Sequence, residues 1–146
     1  CNLAPLQKLI RDFCTERFRT VLYRRAMLRI AEQVARQTDC RALVTGEAVG
    51  QVASQTLVNM NTINRAIDML VLRPLVGTDK LETIRIAEMI GSYDLSNTQV
   101  PDSCTVFAPS SPATATPESL AEAEERKIPD YPAVLEKIIA DIETIA

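Results

Sequence analysis

Apolar residues recur at helical spacing in some stretches of this chain and as short unbroken runs in others. That alternation sets the expected elements. Leu6, Leu9, Ile10 and Phe13 share one side of a short amphipathic helix over 3–14. A longer helix is expected from about Thr20 to Gln37. It carries Tyr23, Met27, Ile30 and Val34 on one face and Arg25, Arg29, Glu32 and Arg36 on the other, with Glu32 and Arg36 spaced as a favourable i, i+4 pair. The run Arg41–Thr45 reads as a strand, and a helix is expected from about Gly50 to Asn61. Met69–Leu72 reads as a second strand that ends at Arg73-Pro74, because proline cannot donate to a ladder.

Gly77-Thr78-Asp79 turns the chain into a further helix. Asp79 and Glu82 are spaced as a capping box, and Gly91 supplies the stop. An irregular segment from Ser92 to about Thr116 ends in a Pro-, Ser- and Thr-rich tail over 108–117, a mobile linker by composition. Thr116-Pro117 then caps an acidic helix. A last helix over about Pro132–Thr144 carries Leu135, Ile138, Ile142 and Ile145 as one stripe. Strands alternating with helices imply an α/β class with a parallel sheet. Two parallel strands make a poor fold by themselves, so a piece of a larger sheet is expected.

Composition narrows the chemistry. The chain has 146 residues, 47% of them hydrophobic, enough for a core and too apolar for wholesale disorder. No apolar run approaches the roughly 20 residues of a membrane span, and Lys8, Arg11 and Asp12 near the start do not suit a signal peptide. A cytoplasmic protein with no membrane partner is expected. There is no histidine, which removes Ser-His-Asp and Cys-His catalysis. Cys1, Cys14, Cys40 and Cys104 are scattered, with no Cys-x-x-Cys, so no metal site is expected. The net charge of −3 argues weakly against a dedicated nucleic-acid binder. Its distribution is uneven: residues 1–50 hold nine Lys and Arg against five Asp and Glu, and residues 118–146 hold three against eight. The basic front half suits phosphates, or is simply a solvated helix face.

The stretch Leu43-Val44-Thr45-Gly46-Glu47 to Ser54-Gln55-Thr56 ends an apolar run in a glycine and reads on into a helix. Ligands of open α/β sheets bind at the carboxyl ends of strands, where helix N-termini favour anions.

Three blocks carry a family resemblance. They are Tyr23-Arg24-Arg25-Ala26-Met27-Leu28-Arg29-Ile30-Ala31, the Val44-Thr45-Gly46-Glu47 to Ser54-Gln55-Thr56 block, and Leu72-Arg73-Pro74-Leu75 running into Asp79-Lys80. A fourth, Cys104-Thr105-Val106-Phe107, lies in the expected place. With these the chain resembles the adenylating domain of the tRNA 4-thiouridine synthetases, also called tRNA sulfurtransferases and often described as thiamine biosynthesis proteins. The resemblance implies a partial Rossmann-like sheet of the PP-loop ATP pyrophosphatase (adenine nucleotide alpha hydrolase-like) type. It assigns 1–107 to the C-terminal portion of that domain, 108–117 to a linker and 118–146 to acidic helices packed on it.

The resemblance also implies an activity. ATP, with Mg accompanying it, adenylates a tRNA uridine, and persulfide sulfur from a cysteine desulfurase replaces the oxygen, with a further role in sulfur supply for thiamine thiazole. By the same resemblance Arg24, Gly46 and Gln55 bind ATP, with Glu47, Gln51 and Ser54 as supporting partners. Lys80 and Cys104 are catalytic, Lys80 in adenylation and Cys104 in sulfur transfer. Accessible thiolates on loops suit thiol exchange.

The sequence departs from the family pattern in one serious respect. The phosphate-cradling Ser-Gly-Gly-x-Asp-Ser loop is absent: the glycines are Gly46, Gly50, Gly77 and Gly91, no two adjacent. This stretch of chain is likewise expected to lack the family's N-terminal tRNA-binding region and the C-terminal rhodanese domain of some members. The fragment is therefore expected to keep part of the site and to be inactive alone. An open strand edge is expected to be covered by self-association, as in a homodimer. Two alternatives remain: a PP-loop adenylating enzyme with another substrate, and a non-catalytic interaction module using the acidic helices.

Overall fold

The computed structural model describes residues 1–99 and 107–143. Helix α1 spans Ala4–Phe13 and leads through a 3₁₀ turn at Glu16–Phe18 into α2, Arg19–Gln37. Strand β1 is Ala42–Val44, α3 is Leu57–Asn64 and β2 is Leu70–Leu72. Then come α4, Lys80–Met89, the single turn α5, Tyr93–Ser96, α6, Glu118–Glu125, and α7, Tyr131–Ala140. The two strands pair in parallel with Ala42 opposite Leu70 and Val44 opposite Leu72. The expected α/β class with a small parallel sheet is therefore what forms.

Helix α2 is the axis of the molecule, and it buries two faces. Val21 and Leu28 pack with Ile63 and Ile67, and Leu43, Met69 and Val71 of the sheet side lie against them. Leu22, Tyr23, Ala26 and Ile30 pack with Leu6 and Ile10 of α1, Ala121 of α6, and Ile128 and Ile138 around α7. A helix apolar on two faces fits a central position. It ends at Asp39, whose φ of 56° is the left-handed conformation that Asp tolerates better than most residues, and Cys40 N–H closes the turn on the Ala35 carbonyl at 2.7 Å.

Arg25 and Arg29 do not line a solvated face. Arg25 is 1% exposed: its guanidinium donates to Glu125 of α6 and to the Thr62 carbonyl, and Arg29 donates to the same carboxylate. Glu124 accepts from the backbone N–H of Thr15 at 2.7 Å and from its hydroxyl at 2.9 Å. Helix α6 is thus docked through two of the charges that make it acidic, whereas α7 packs through Ile138 and its apolar neighbours.

The helix expected over Gly50–Asn61 begins later. Gly50 takes φ +78°, its N–H donates to the Gln55 carbonyl, and Ala53–Gln55 form only a 3₁₀ turn. Thr56 is extended and its hydroxyl accepts from Asn59 N–H, which sets the start of α3. The Asp79 cap forms as expected, accepting from Glu82 N–H at 2.9 Å, and Gly91 at φ +72° ends α4. The Pro-rich stretch 108–117 is held rather than free. Ala113 and Thr116 are buried, and Asn59 donates its amide to the Ala113 carbonyl at 2.8 Å and accepts from Thr116 N–H at 2.8 Å.

Candidate functional site

The chain leaves β1 through Thr45, whose N–H extends the ladder to the Leu72 carbonyl at 3.0 Å, and reaches Gly46. Val49 N–H then donates to the Val76 carbonyl, which ties the loop after β1 to the loop after β2. Between these two strand exits and the first turns of α4 lies an open cleft of about 390 Å³. Gly46, Gln51 and Gln55 line one side of it, and Thr78, Lys80 and Thr83 the other. The parallel sheet therefore brings three of the five expected site residues to one cleft at its carboxyl edge, where α/β ligand sites form.

Each contributes a different chemistry. Gly46 has an ordinary backbone conformation, and a Cβ built on it meets no atom within 4 Å. Neither backbone strain nor packing accounts for a glycine here, while space for a ligand lies open beside it. The Oε1 of Gln55 is buried and has no hydrogen-bond partner among the described residues. A buried acceptor without a donor costs roughly 1–3 kcal/mol, and a ligand N–H would satisfy it. Lys80 is the first residue of α4, one position past its cap, and no carboxylate forms an ion pair with it among the described residues. A free ammonium beside a helix N-terminus favours anionic oxygen.

Arg24 does not line the cleft. It joins the site through Glu47, the neighbour of Gly46: Glu47 Oε1 accepts from Arg24 Nη2 at 2.5 Å, and Oε2 accepts from Arg73 Nε at 2.8 Å and from the Thr45 hydroxyl at 3.1 Å. Arg73 places both terminal nitrogens on Asn64 Oδ1 at 3.2 Å. Burial would raise the pKa of Glu47, but the Arg73 and Arg24 guanidiniums outweigh it and hold the carboxyl below the usual range. The sequence reading named Glu47 only as a supporting partner and gave Arg73 no role. The signal was there, since Arg73 stands in the Leu72-Arg73-Pro74-Leu75 block, but a 26-residue separation hides the pairing. Of the other supporting partners, Gln51 lines the cleft and Ser54 is buried at 2% exposure without lining it. Cys104 lies outside the described residues.

A family model described as "Thiamine biosynthesis protein (ThiI)" matches residues 1–129. The chain belongs to the ThiI family. Its similarity to curated members is high: it is 50% identical over 113 residues to a "Probable tRNA sulfurtransferase" of Alkaliphilus oremlandii (strain OhILAs), covering 77% of this chain and 29% of that protein. It is 44% identical over 140 residues to the same-named protein of Moorella thermoacetica, covering 96% of this chain and 35% of that one. Among solved structures, "Crystal structure of a 4-thiouridine synthetase - RNA complex with bound ATP" matches with a TM-score of 0.90 and 41% identity, covering 96% of this chain and 36% of that chain. The chain thus spans about a third of the length of the ThiI-family relatives it matches. Among the described residues no helix is long and apolar enough to cross a membrane.

Proposed function

We propose that this chain is part of a cytoplasmic tRNA sulfurtransferase that uses ATP to adenylate a tRNA uridine and replaces the oxygen with persulfide sulfur to give 4-thiouridine, with a further role in sulfur supply for thiamine thiazole. One observation carries the reading: Gly46, the unpartnered Gln55 Oε1 and Lys80 converge on a single cleft at the carboxyl edge of the parallel sheet. A nucleotide fits this donor and acceptor set. Gln55 accepts an N–H of the base, Gly46 leaves room for the nucleoside, and Lys80 faces the negative oxygens. The uridine oxygen attacks the α-phosphorus, the bond to the β-phosphate breaks and pyrophosphate leaves, and the AMP now on the oxygen is the group that sulfur displaces. Among the described residues no carboxylate lines the cleft, so Mg accompanying the nucleotide would not be held by these side chains.

Cys104 completes the reading as the sulfur-transfer thiol. Its thiolate attacks the inner sulfur of a persulfide formed with a cysteine desulfurase. A disulfide forms, the S–S bond of the persulfide breaks, and the terminal sulfur leaves at the sulfide level for the uridine carbon. The exposed apolar side chains of Val44, Leu70 and Leu72 on the sheet support self-association as a cover for its open side. Sedimentation showing only a monomer would remove that part. For the interaction-module alternative Glu124 and Glu125 are not on offer, because both are engaged within the chain.

The test is ATP binding by calorimetry, on this chain and on one extended at its N-terminus with a phosphate loop. Binding by the extended chain alone, weakened by Gln55→Ala and by Lys80→Ala, supports a site split between two parts of the protein. Binding by neither defeats the nucleotide assignment.

A further inference from the structure

The nucleotide reading rests on the groups that face the cleft. It leaves the buried carboxylate behind Gly46 without a task. Glu47 is 4% exposed, and its two oxygens gather Arg24 from α2, Arg73 from beyond β2 and the Thr45 hydroxyl from the end of β1. Two guanidiniums on one carboxylate leave the cluster with one positive charge in excess. A single Arg–Glu pair would be neutral and would offer an anion little.

The excess has a definite place. Each nitrogen of Arg73 has a partner, with Nε on Glu47 and both terminal nitrogens on Asn64. Arg24 differs. Only its Nη2 reaches Glu47, its buried Nε has no hydrogen-bond partner among the described residues, and its side chain keeps 24% exposure. Of the two guanidiniums Arg24 is the less engaged and the more exposed, 24% against 15%, so it is the one with donors to offer, one residue contact away from Gly46.

We propose that Glu47 is a positioning residue: it clamps Arg24 at the Gly46 edge with donors left for the phosphate oxygens of a nucleotide, while Arg73 neutralises the carboxylate so that the charge of Arg24 is kept for the ligand. This rests on the nucleotide reading of the cleft. Glu47 itself touches no ligand, and its effect runs through the orientation of one guanidinium. Planar guanidinium donors bind phosphate in a fixed geometry, so orientation decides how much of that binding is realised.

The experiment compares ATP with adenosine by calorimetry, in the protein extended to the length of its relatives. Glu47→Gln removes the charge and keeps the shape. It is expected to weaken ATP about tenfold and to leave adenosine within about twofold, since adenosine has no phosphate for Arg24 to meet. Arg24→Ala is expected to do the same, and the double variant to be no weaker than Arg24→Ala alone, because both act through one contact. Glu47→Asp, which keeps the charge, is expected to recover most of the ATP affinity. Arg73→Gln leaves a neutral Arg24–Glu47 pair and is expected to weaken ATP alone, which keeps the test open if Glu47→Gln does not fold.

Equal losses for ATP and adenosine, or fully additive losses in the double variant, would overturn the proposal: Glu47 would then merely hold the loop together. Unchanged ATP binding in Glu47→Gln defeats the positioning role while leaving the nucleotide reading intact. A wild-type protein that binds neither ligand defeats both.

Discussion

Arg25 and Glu125 meet across 100 residues of sequence in the interior of the protein: Arg25 Nε lies 2.8 Å from Glu125 Oε1, and Nη2 lies 3.2 Å from Oε2. The same guanidinium gives its remaining terminal nitrogen to the Thr62 carbonyl, so α2, α3 and α6 are tied at one point. Breaking a buried pair by removing one partner strands the other charge. Glu125→Leu is therefore expected to cost about 3–5 kcal/mol in urea unfolding. Arg25→Met combined with Glu125→Leu should recover part of that loss, since Arg25 is then no longer stranded, while Arg29, 25% exposed, still lacks its carboxylate. A double variant as unstable as the single would show that shape, not charge, holds the helices together.

Acid should loosen the same contacts. Glu125 carries an opposed balance, in which burial raises its pKa but the Arg29 and Arg25 guanidiniums prevail and hold it low. Glu124 is held low by Lys127 and Thr15, and Glu47 by Arg73 and Arg24. Each has a folded pKa below its unfolded one, so the unfolded state takes up protons first as pH falls. Stability is then full above about pH 4.3 and is lost as pH falls further, through the lowered folded values. Urea midpoints between pH 7 and pH 3 should trace this decline, and Glu125→Gln should flatten it.

The order of elements was legible because their spacing is local. The two strands, the Asp79 cap, the Gly91 stop and the long helix around Tyr23–Val34 follow from residues within a turn or two of one another. What failed to show is long-range. Arg25 looked like a surface arginine because its partner lies on α6, and 108–117 looked like a free linker because the amide that holds it belongs to Asn59. Gly50 misled in another way: its positive φ makes it the corner of a turn rather than the start of a helix. At the cleft, Gly46, Gln55 and Lys80 were named through a resemblance, and the fold brings them together. The Glu47–Arg73 contact needed the sheet itself, because only parallel pairing of β1 with β2 sets their ends side by side.

Asn59 should be costly to lose. It is fully buried, its amide donates to the Ala53 and Ala113 carbonyls, and its Oδ1 accepts from Thr116 N–H. Asn59→Ala leaves several buried backbone groups unpaired, for an expected loss of about 3 kcal/mol. Hydrogen exchange distinguishes this from general destabilisation. The Thr116 and Ala113 amides should lose protection before those of α2, and limited proteolysis should cut first within 108–117.

Cysteine reactivity should separate by environment. Cys14 lies in the core, and burial, aided by the nearby Glu124 carboxylate, pushes its thiol up to about 11, whereas Cys1 and Cys40 are exposed. The thiolate is the reactive form, so alkylation with iodoacetamide at pH 8 should label Cys1 and Cys40 and spare Cys14 in the folded protein, as peptide mass spectrometry reads site by site. Unfolding in urea should expose Cys14 to labelling at the rate of the others. The same raised value carries a stability term of opposite pH sense to the carboxylates. Between the unfolded thiol range near 8.5 and the folded value, the native state keeps a proton that the unfolded chain has lost, so stability should fall as pH rises through that window. Cys14→Ser tests the two together. A midpoint that still drops above about pH 9 in this variant would assign the alkaline loss to other groups, such as Tyr131, which burial pushes up to about 12.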